Sequence, residues 1–330
     1  MNNSLIILDK VIKKFANAKT PSVYETSLNI NEGEFITILG SSGCGKTTLL
    51  KMINRLYDPT SGKIYINGED ISKISAVNLR RRIGYVIQQT GLFEHLTIEE
   101  NIAIVPKILN WDKDEINERI DYLLDLVGLS PQTFRKRHPN QLSGGQQQRV
   151  GLARAMAANP KIMLMDEPFG AIDSITRANL QEELLKIQKL LNKTILFVTH
   201  DVDEALKLGD KVLIMNEGKV QQFDTPVNIL LHPANEFVSS LVNSNDLFQK
   251  LSIIKVKEIM QKHDNCQNNH SEIINQNDNL KNALNNLIEN NLDSLKVKDD
   301  NNNIIGTISI NNFKNFRKHY VKKDELCLNI

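Results

Sequence analysis

Residues Gly40 to Thr47 read GSSGCGKT, three glycines, a lysine and a threonine set between the apolar run EFITIL and the helix-like LLKMINRL. Glycines at this density let successive backbone N–H groups point into one concavity, and the helix that follows adds the positive end of its dipole. Such a loop suits polyphosphate. Its spacing is G-x-x-x-x-G-K-[ST], in which Lys46 reaches the β- and γ-phosphates and the Thr47 hydroxyl is a ligand for Mg2+. Downstream, KIMLMDEP is an apolar strand ending in Asp166 and Glu167. That pair could set one carboxylate beside a metal and the next beside an attacking water, although taken alone it also suits a solvated turn. TILFVTHD ends a further strand in His200, which by itself is equally suited to a structural role. Leu142-Ser143-Gly144-Gly145-Gln146 precedes another helix and so makes a second N-terminus suited to anion contact.

These residues need a scaffold. Short β-branched runs, EFITIL, KIMLM, TILFVTH and KVLIM, alternate with helical segments such as ITRANLQEELLKIQKLL over the first 240 or so residues. The alternation predicts an α/β domain with a largely parallel sheet. Between about 90 and 160 the pattern becomes mostly helical, and DEINERIDYLLDLVGL aligns Ile116, Ile120, Leu123, Leu124 and Val127 on one face. A helical subdomain inserted into the α/β core fits. From about 250 onward asparagine is the commonest residue, yet NLKNALNNLIENN keeps Leu280, Ala283, Leu284, Leu287 and Ile288 on one helical face, and DSLKVKDDNNNIIGTISI reads as strand, turn, strand. The expected domains are residues 1–245 and a small folded domain over 246–330.

A formal net charge of +1 argues against wholesale binding to nucleic acid or an anionic membrane. Cys44, Cys266 and Cys327 are odd in number and far apart, which points to a reducing compartment rather than to a disulfide framework or metal site. MNNSLIILDKVIKKF has only four apolar residues in a row before Asp9, far short of a signal-peptide core, and no run approaches a membrane span.

The stretch QLSGGQQQRVGLARAMAANP, with LSGGQ about 95 residues after the glycine-rich loop and about 20 before LMDEP, resembles the signature motif of ATP-binding cassette (ABC) ATPases. The resemblance covers residues 5 to 240 and takes in YVIQQ as the Q-loop and FGAID as the D-loop, with the glycine-rich loop as Walker A and LMDEP as Walker B. It implies an ABC-type P-loop NTPase that binds ATP and Mg2+. Phe15 would stack on adenine; Gly40, Ser41, Ser42, Gly43, Cys44, Gly45, Lys46, Thr47 and Thr48 would hold phosphates. Thr47, Gln88 and Asp166 would hold the metal, Glu167 would be the general base and His200 the switch histidine, with Gln88 chosen over Gln89 by its spacing of seven from His95. Ser143, Gly144, Gly145, Gln146 and Asp173 would complete the nucleotide-binding set, with Ser143 and Gly145 acting across a homodimer, because the signature closes on the ATP of an opposing subunit.

KMINRLYDPTSGKIYINGEDIS, LRRRIGYVIQQTGLF, EENIAIVPKILNW and HPANEFV look more narrowly like the ATPase subunit of importers for quaternary amines: glycine betaine, carnitine and choline. One departure is Glu94, where that family has proline. The implied partners are a transmembrane permease and a substrate-binding protein, and the implied location is the cytoplasmic face of the membrane. An importer for methionine or another amino acid is the alternative; a switch acting on nucleic acid is disfavoured by the neutral charge. The tail, with VKEIM and GTISINNF, resembles a single CBS repeat of α+β type, in which Ser309 and Asn312 fall at the nucleotide-contacting positions. Lys314, Arg317, Lys318, Lys322 and Lys323 cluster near its end. The resemblance implies sensing of ionic strength or of cyclic di-AMP; a solvated basic helix face is the plain alternative.

Overall fold

A computed structural model describes residues 4–88, 91–170, 173–242, 247–262 and 272–313. The chain divides into two compact units, Met1–Asp224 and Thr225–Ile330. The boundary expected at 245/246 lies outside the described residues.

The first unit opens with β1 (Ser4–Lys13), β2 (Val23–Asn31), β3 (Phe35–Gly40), α1 (Lys46–Ile53), β4 (Ser61–Ile66) and β5 (Glu69–Asp70). There follow α2 (Ala76–Arg81), β6 (Ile83–Val86), α3 (Ile98–Ile108), α4 (Lys113–Leu126), α5 (Pro131–Phe134) and α6 (Gly144–Met156). It ends with β7 (Ile162–Asp166), α7 (Ser174–Leu191), β8 (Thr194–Thr199), α8 (Val202–Leu208), β9 (Lys211–Asn216) and β10 (Lys219–Asp224). Among the described residues its main sheet has the order β10-β9-β3-β8-β7-β6, parallel throughout except for the β10 edge. A second sheet, β2-β1-β4-β5, is wholly antiparallel. Strand–helix alternation does not announce this second layer: its strands are half-buried and carry polar residues on one face, which is how antiparallel sheets read.

Alternation of side chains along the main strands divides the core in two. Phe35, Met163, Met165, Ile195 and Phe197 face a cluster built with Leu123 and Leu124 of α4, Val150 and Met156 of α6 and Leu184 of α7. Ile36, Ile38, Leu164, Leu196, Val198 and Leu213 face the other way, onto Leu49, Leu50 and Ile53 of α1 and the antiparallel sheet. The expected helical segment between 90 and 160 is present as α3 to α6. Thr97 starts α3 with a capping box closed by Glu100. Arg135 ties α3 to α4 through Glu99 at 2.8 Å and Asp121 at 2.9 Å.

The second unit contains α9 (Pro226–Leu231), α10 (Glu236–Leu241), α11 (Leu247–Ile253), β11 (Gln261–Lys262), β12 (Ile273–Asn275), α12 (Leu280–Glu289), β13 (Ser294–Lys298) and β14 (Ile304–Ser309). Its sheet runs β11-β14-β13-β12, with β12 and β13 parallel and bridged by α12. Leu280, Ala283 and Leu287 pack on Leu295, Val297 and Ile308, and Val227 and Leu231 of α9 join this core, so α9 belongs with the second unit. Ile288, at the edge of the α12 stripe, is exposed rather than buried. The cluster of Lys314, Arg317, Lys318, Lys322 and Lys323 lies outside the described residues, as do Cys266, Cys327 and Gln89.

Candidate active site

Parallel strands place their carboxyl ends on one edge of the sheet, where ligands of open α/β folds bind. The register sets four such ends side by side: Leu39 opposite Thr199, Asp166 opposite Val198, and Val86 opposite Met165. The chain leaves these ends as the Gly40–Gly45 loop, His200, Glu167 and Gln88, so residues up to 160 apart in sequence meet at one edge.

The loop is shaped by backbone that only glycine adopts readily. Gly43 and Gly45 have φ of +78° and +105°, and a Cβ on Gly45 would stand 2.3 Å from the Ser22 carbonyl oxygen. Gly45 caps α1, whose first turn has no side-chain cap, which leaves its N–H groups to a ligand. Lys46 is buried, and its Nζ donates to the carbonyls of Gly40 at 2.8 Å and Ser41 at 3.0 Å. The lysine is thus held at the loop by two neutral acceptors that an anionic phosphate outcompetes. Cys44 is buried beside it, and burial raises its thiol pKa. Ser41, Ser42 and Gly43 are exposed along the rim, and Thr48 follows in the first turn of α1.

Thr47 Oγ1 donates a 2.8 Å hydrogen bond to Asp166 Oδ1. Asp166 is 8% exposed; burial raises its pKa, while Thr47 and the cations of Lys51 and Lys46 oppose the shift. Glu167, the next residue, takes a left-handed φ of +45° and donates its N–H to the Val198 carbonyl at 3.1 Å. That turn sends its side chain away from Asp166 into the space beside Gln88 and His200. Gln88 Nε2 donates to Glu167 Oε2 at 3.1 Å, and His200 Nδ1 lies 3.4 Å from the same oxygen. One carboxylate oxygen is held from two sides, and Oε1 has no hydrogen-bond partner among the described residues. This is the arrangement a general base needs: a fixed group with one free acceptor.

Among the described residues no three His, Cys, Asp or Glu side chains form a closed metal cage. Thr47, Asp166 and Gln88 instead offer a few hard oxygen donors beside a phosphate loop, which fits Mg2+ held jointly by protein and phosphate oxygens.

The remaining expected residues lie apart from this cluster. Ser143 is the N-cap of α6, and its hydroxyl accepts from the Gln146 N–H at 3.3 Å while Gln146 Oε1 accepts from the Ser143 N–H at 3.0 Å. Gly144 begins that helix, with open space around its Cα; a Cβ on Gly145 would stand 2.9 Å from Thr176 Cγ2, so α7 approaches the signature where glycine leaves room. Asp173 caps α7 by accepting from the Thr176 N–H at 3.0 Å, which lowers its pKa. Phe15 is 37% exposed and meets Tyr57 edge to face, with ring centroids 5.3 Å apart. Lys13 Nζ lies over both rings. The motifs assign no role to Tyr57 or Lys13, nor to Tyr85, whose phenol is pushed up to about 12 by burial and by Asp166. An aromatic and a lysine flanking Phe15 are too common a pattern to single out without the fold.

In the second unit, Ser309 Oγ donates to Asn312 Oδ1 at 2.7 Å and Asn312 Nδ2 donates to the Ile259 carbonyl at 3.0 Å. The two residues expected to contact a nucleotide therefore satisfy one another and the local backbone.

Residues 23–170 match the ABC transporter family. The carnitine transport ATP-binding protein OpuCA of Listeria monocytogenes is 47% identical over 93% of this chain and 75% of its own length. The glycine betaine/carnitine/choline transport ATP-binding protein OpuCA of Bacillus subtilis is 46% identical over 95% of this chain and 80% of its own. Among solved structures, the dimeric ATP-binding cassette MJ0796 bound to ADP and Pi is 36% identical, with a TM-score of 0.60 over 67% of this chain and 98% of that one. The cbiO1 subunit from Clostridium perfringens gives a TM-score of 0.65 at 27% identity, over 70% of this chain and 92% of that one. With the phosphate loop, paired acids and signature helix in place and near half of its residues shared with such relatives, the chain belongs to the ABC transporter family, among its ATP-binding subunits.

Proposed function

We propose that this subunit hydrolyses ATP to drive import of quaternary amine osmoprotectants, the glycine betaine, carnitine and choline class, through a separate membrane permease served by a substrate-binding protein. The observation that carries the catalytic part is the convergence of Thr47, Asp166, Gln88, Glu167 and His200 at one sheet edge beside the phosphate loop. The substrate class rests on relatives near 47% identity whose names specify those compounds. No helix among the described residues is long and apolar enough to cross a membrane, which accords with a peripheral subunit on the cytoplasmic face.

ATP phosphates settle on the free N–H groups of the loop and of α1, and Lys46 turns from the Gly40 and Ser41 carbonyls to the β- and γ-phosphates. Phe15 stacks on adenine, with Lys13 and Tyr57 holding its ring in place. Thr47, Gln88 and Asp166 would hold Mg2+, which would supply neutralising charge to the phosphates. Glu167 orients a water through its free Oε1 and accepts its proton as the water attacks the γ-phosphorus in line with the departing ADP. His200 and Gln88 keep that carboxylate from rotating. A homodimer completes the site, Ser143 and the α6 N-terminus of the second copy closing on the γ-phosphate; the dimeric state of the MJ0796 cassette supports the pairing of two copies. The second unit, in which β12, α12, β13 and β14 follow one another as β-α-β-β, is read as a CBS-like regulatory domain responding to ionic strength or to cyclic di-AMP.

The experiment is ATP-driven uptake of labelled glycine betaine, carnitine and choline into vesicles holding the subunit with its permease and binding protein, at low and high internal salt. Uptake of at least one of the three is expected, rising with salt. ATP hydrolysis without uptake of any quaternary amine would overturn the substrate class and leave the ATPase.

A further inference from the structure

His200 presents a physical problem. Its side chain is 62% exposed, so packing does not fix it, yet its Nδ1 must stay near Glu167 Oε2. Its position must therefore come from the backbone on either side, Thr199 and Asp201. Both are tied to one residue. Thr199 Oγ1 donates to Glu204 Oε2 and accepts from the Asp201 N–H at 3.0 Å, and Asp201 Oδ1 accepts from the Glu204 N–H at 3.0 Å. The second oxygen, Glu204 Oε1, accepts from Gln181 Nε2 of α7 at 3.0 Å. Lys207 Nζ donates to Gln181 Oε1 at 3.3 Å, and Arg177 of α7 pairs with Asp201 at 3.5 Å.

Glu204, Thr199 and Gln181 are 6%, 2% and 7% exposed. A carboxylate so deeply buried loses hydration, and only its hydrogen bonds offset that loss. Burial raises its pKa against those bonds. A leucine would fill the same space but strand the buried Thr199 hydroxyl and Gln181 amide, so the acid is what joins these two groups. It supplies a rigid link between the helix that begins at Asp173 and the segment carrying His200.

Resting on the reading of His200 as a residue of the hydrolytic site, we propose that Glu204 is a positioning residue for hydrolysis, clamping the Thr199–Asp201 segment to α7 so that His200 holds Glu167 in its productive orientation. Glu204 bonds to Gln181, Thr199 and Asp201, and it acts through His200. The link also gives α7, and with it Asp173, a mechanical connection to the switch histidine.

The test is steady-state ATP hydrolysis by the full chain with Glu204→Leu, Glu204→Gln, His200→Ala and the Glu204→Leu/His200→Ala pair. Glu204→Leu is expected to lower kcat by about tenfold to 100-fold with KM for ATP changed by less than about twofold, as loss of alignment without loss of binding requires. Glu204→Gln keeps a carbonyl that accepts from Thr199 and should hold kcat within about threefold. The double variant should be no slower than His200→Ala alone, because both act on one step. Should Glu204→Leu fail to fold, Thr199→Val cuts the same link isosterically and should show the same fall in kcat. Wild-type kcat in a folded Glu204→Leu, or in Thr199→Val, with His200→Ala inactive, overturns the positioning role alone. Full activity in His200→Ala overturns the reading of the histidine on which it stands.

Discussion

Thr47 Oγ1 and Asp166 Oδ1 stand 2.8 Å apart although 119 residues separate them in sequence, and this contact joins the phosphate loop to the end of strand β7. It brings the two oxygen donors best suited to a metal into direct contact. Thr47→Val keeps the shape and removes the hydroxyl. Loss of a ligand should weaken metal affinity at least as much as loss of a ligand's outer partner, by about 10-fold to 100-fold. The Mg2+ concentration for half-maximal hydrolysis should rise accordingly, and chelation with EDTA should abolish wild-type turnover. Hydrolysis in Thr47→Val with an unaltered Mg2+ requirement would remove Thr47 from the metal site.

Glu167 has one oxygen held by Gln88 and His200 and the other open. Glu167→Gln retains the geometry and removes the base, so kcat should fall by about 100-fold to 10,000-fold while ATP still binds. ATP-dependent dimers should then accumulate, measurable by size-exclusion chromatography with light scattering. Turnover at the wild-type rate would show that another group takes the proton.

Gly43 and Gly45 separate strain from collision. Both have positive φ, but a Cβ on Gly43 meets nothing within 4 Å, whereas one on Gly45 meets the Ser22 carbonyl at 2.3 Å. Gly43→Ala should cost about 1–2 kcal/mol of stability, the price of the left-handed region alone. Gly45→Ala should cost more, and because Gly45 sets the start of α1 it should also abolish nucleotide binding. Urea denaturation and fluorescent-nucleotide titration of the two variants check the order.

The phosphate loop, the paired acids and the signature could be read from the sequence because each is a contiguous pattern whose chemistry requires fixed spacing. Lys46, Thr47, Asp166, Glu167 and His200 then meet because parallel strands deliver their ends to one edge. The antiparallel sheet was not apparent, since half-buried strands such as SLIILDKVIK mix charge into an apolar run. Nor was the Glu204 network. An acid in the first turn of a short helix reads as a solvent-facing partner of the helix dipole, and only the tertiary approach of Gln181 and Thr199 identifies it as buried. The left-handed φ of Glu167 likewise has no sequence signal, because the conformation is imposed by its N–H bond to Val198.

The buried carboxylate of Glu204 also gives stability a pH dependence of known sign. Its folded-state pKa is raised from the ordinary value of 4.5, chiefly by burial, against hydrogen bonds from Thr199 and Gln181. The unfolded chain therefore releases this proton at lower pH than the folded one. Its contribution to stability is fully present below the unfolded pKa and is lost as pH rises through the folded value. Glutamine at the same position does not titrate. The melting temperature of Glu204→Gln relative to wild type should therefore rise as pH is raised from the ordinary carboxyl value of 4.5 through the higher folded-state value, other groups cancelling between the two proteins. Differential scanning calorimetry across that interval measures the gap directly. A gap that is constant or shrinks with rising pH would mean that the folded protein tolerates the carboxylate as well as water does, and the raised pKa would have to be abandoned.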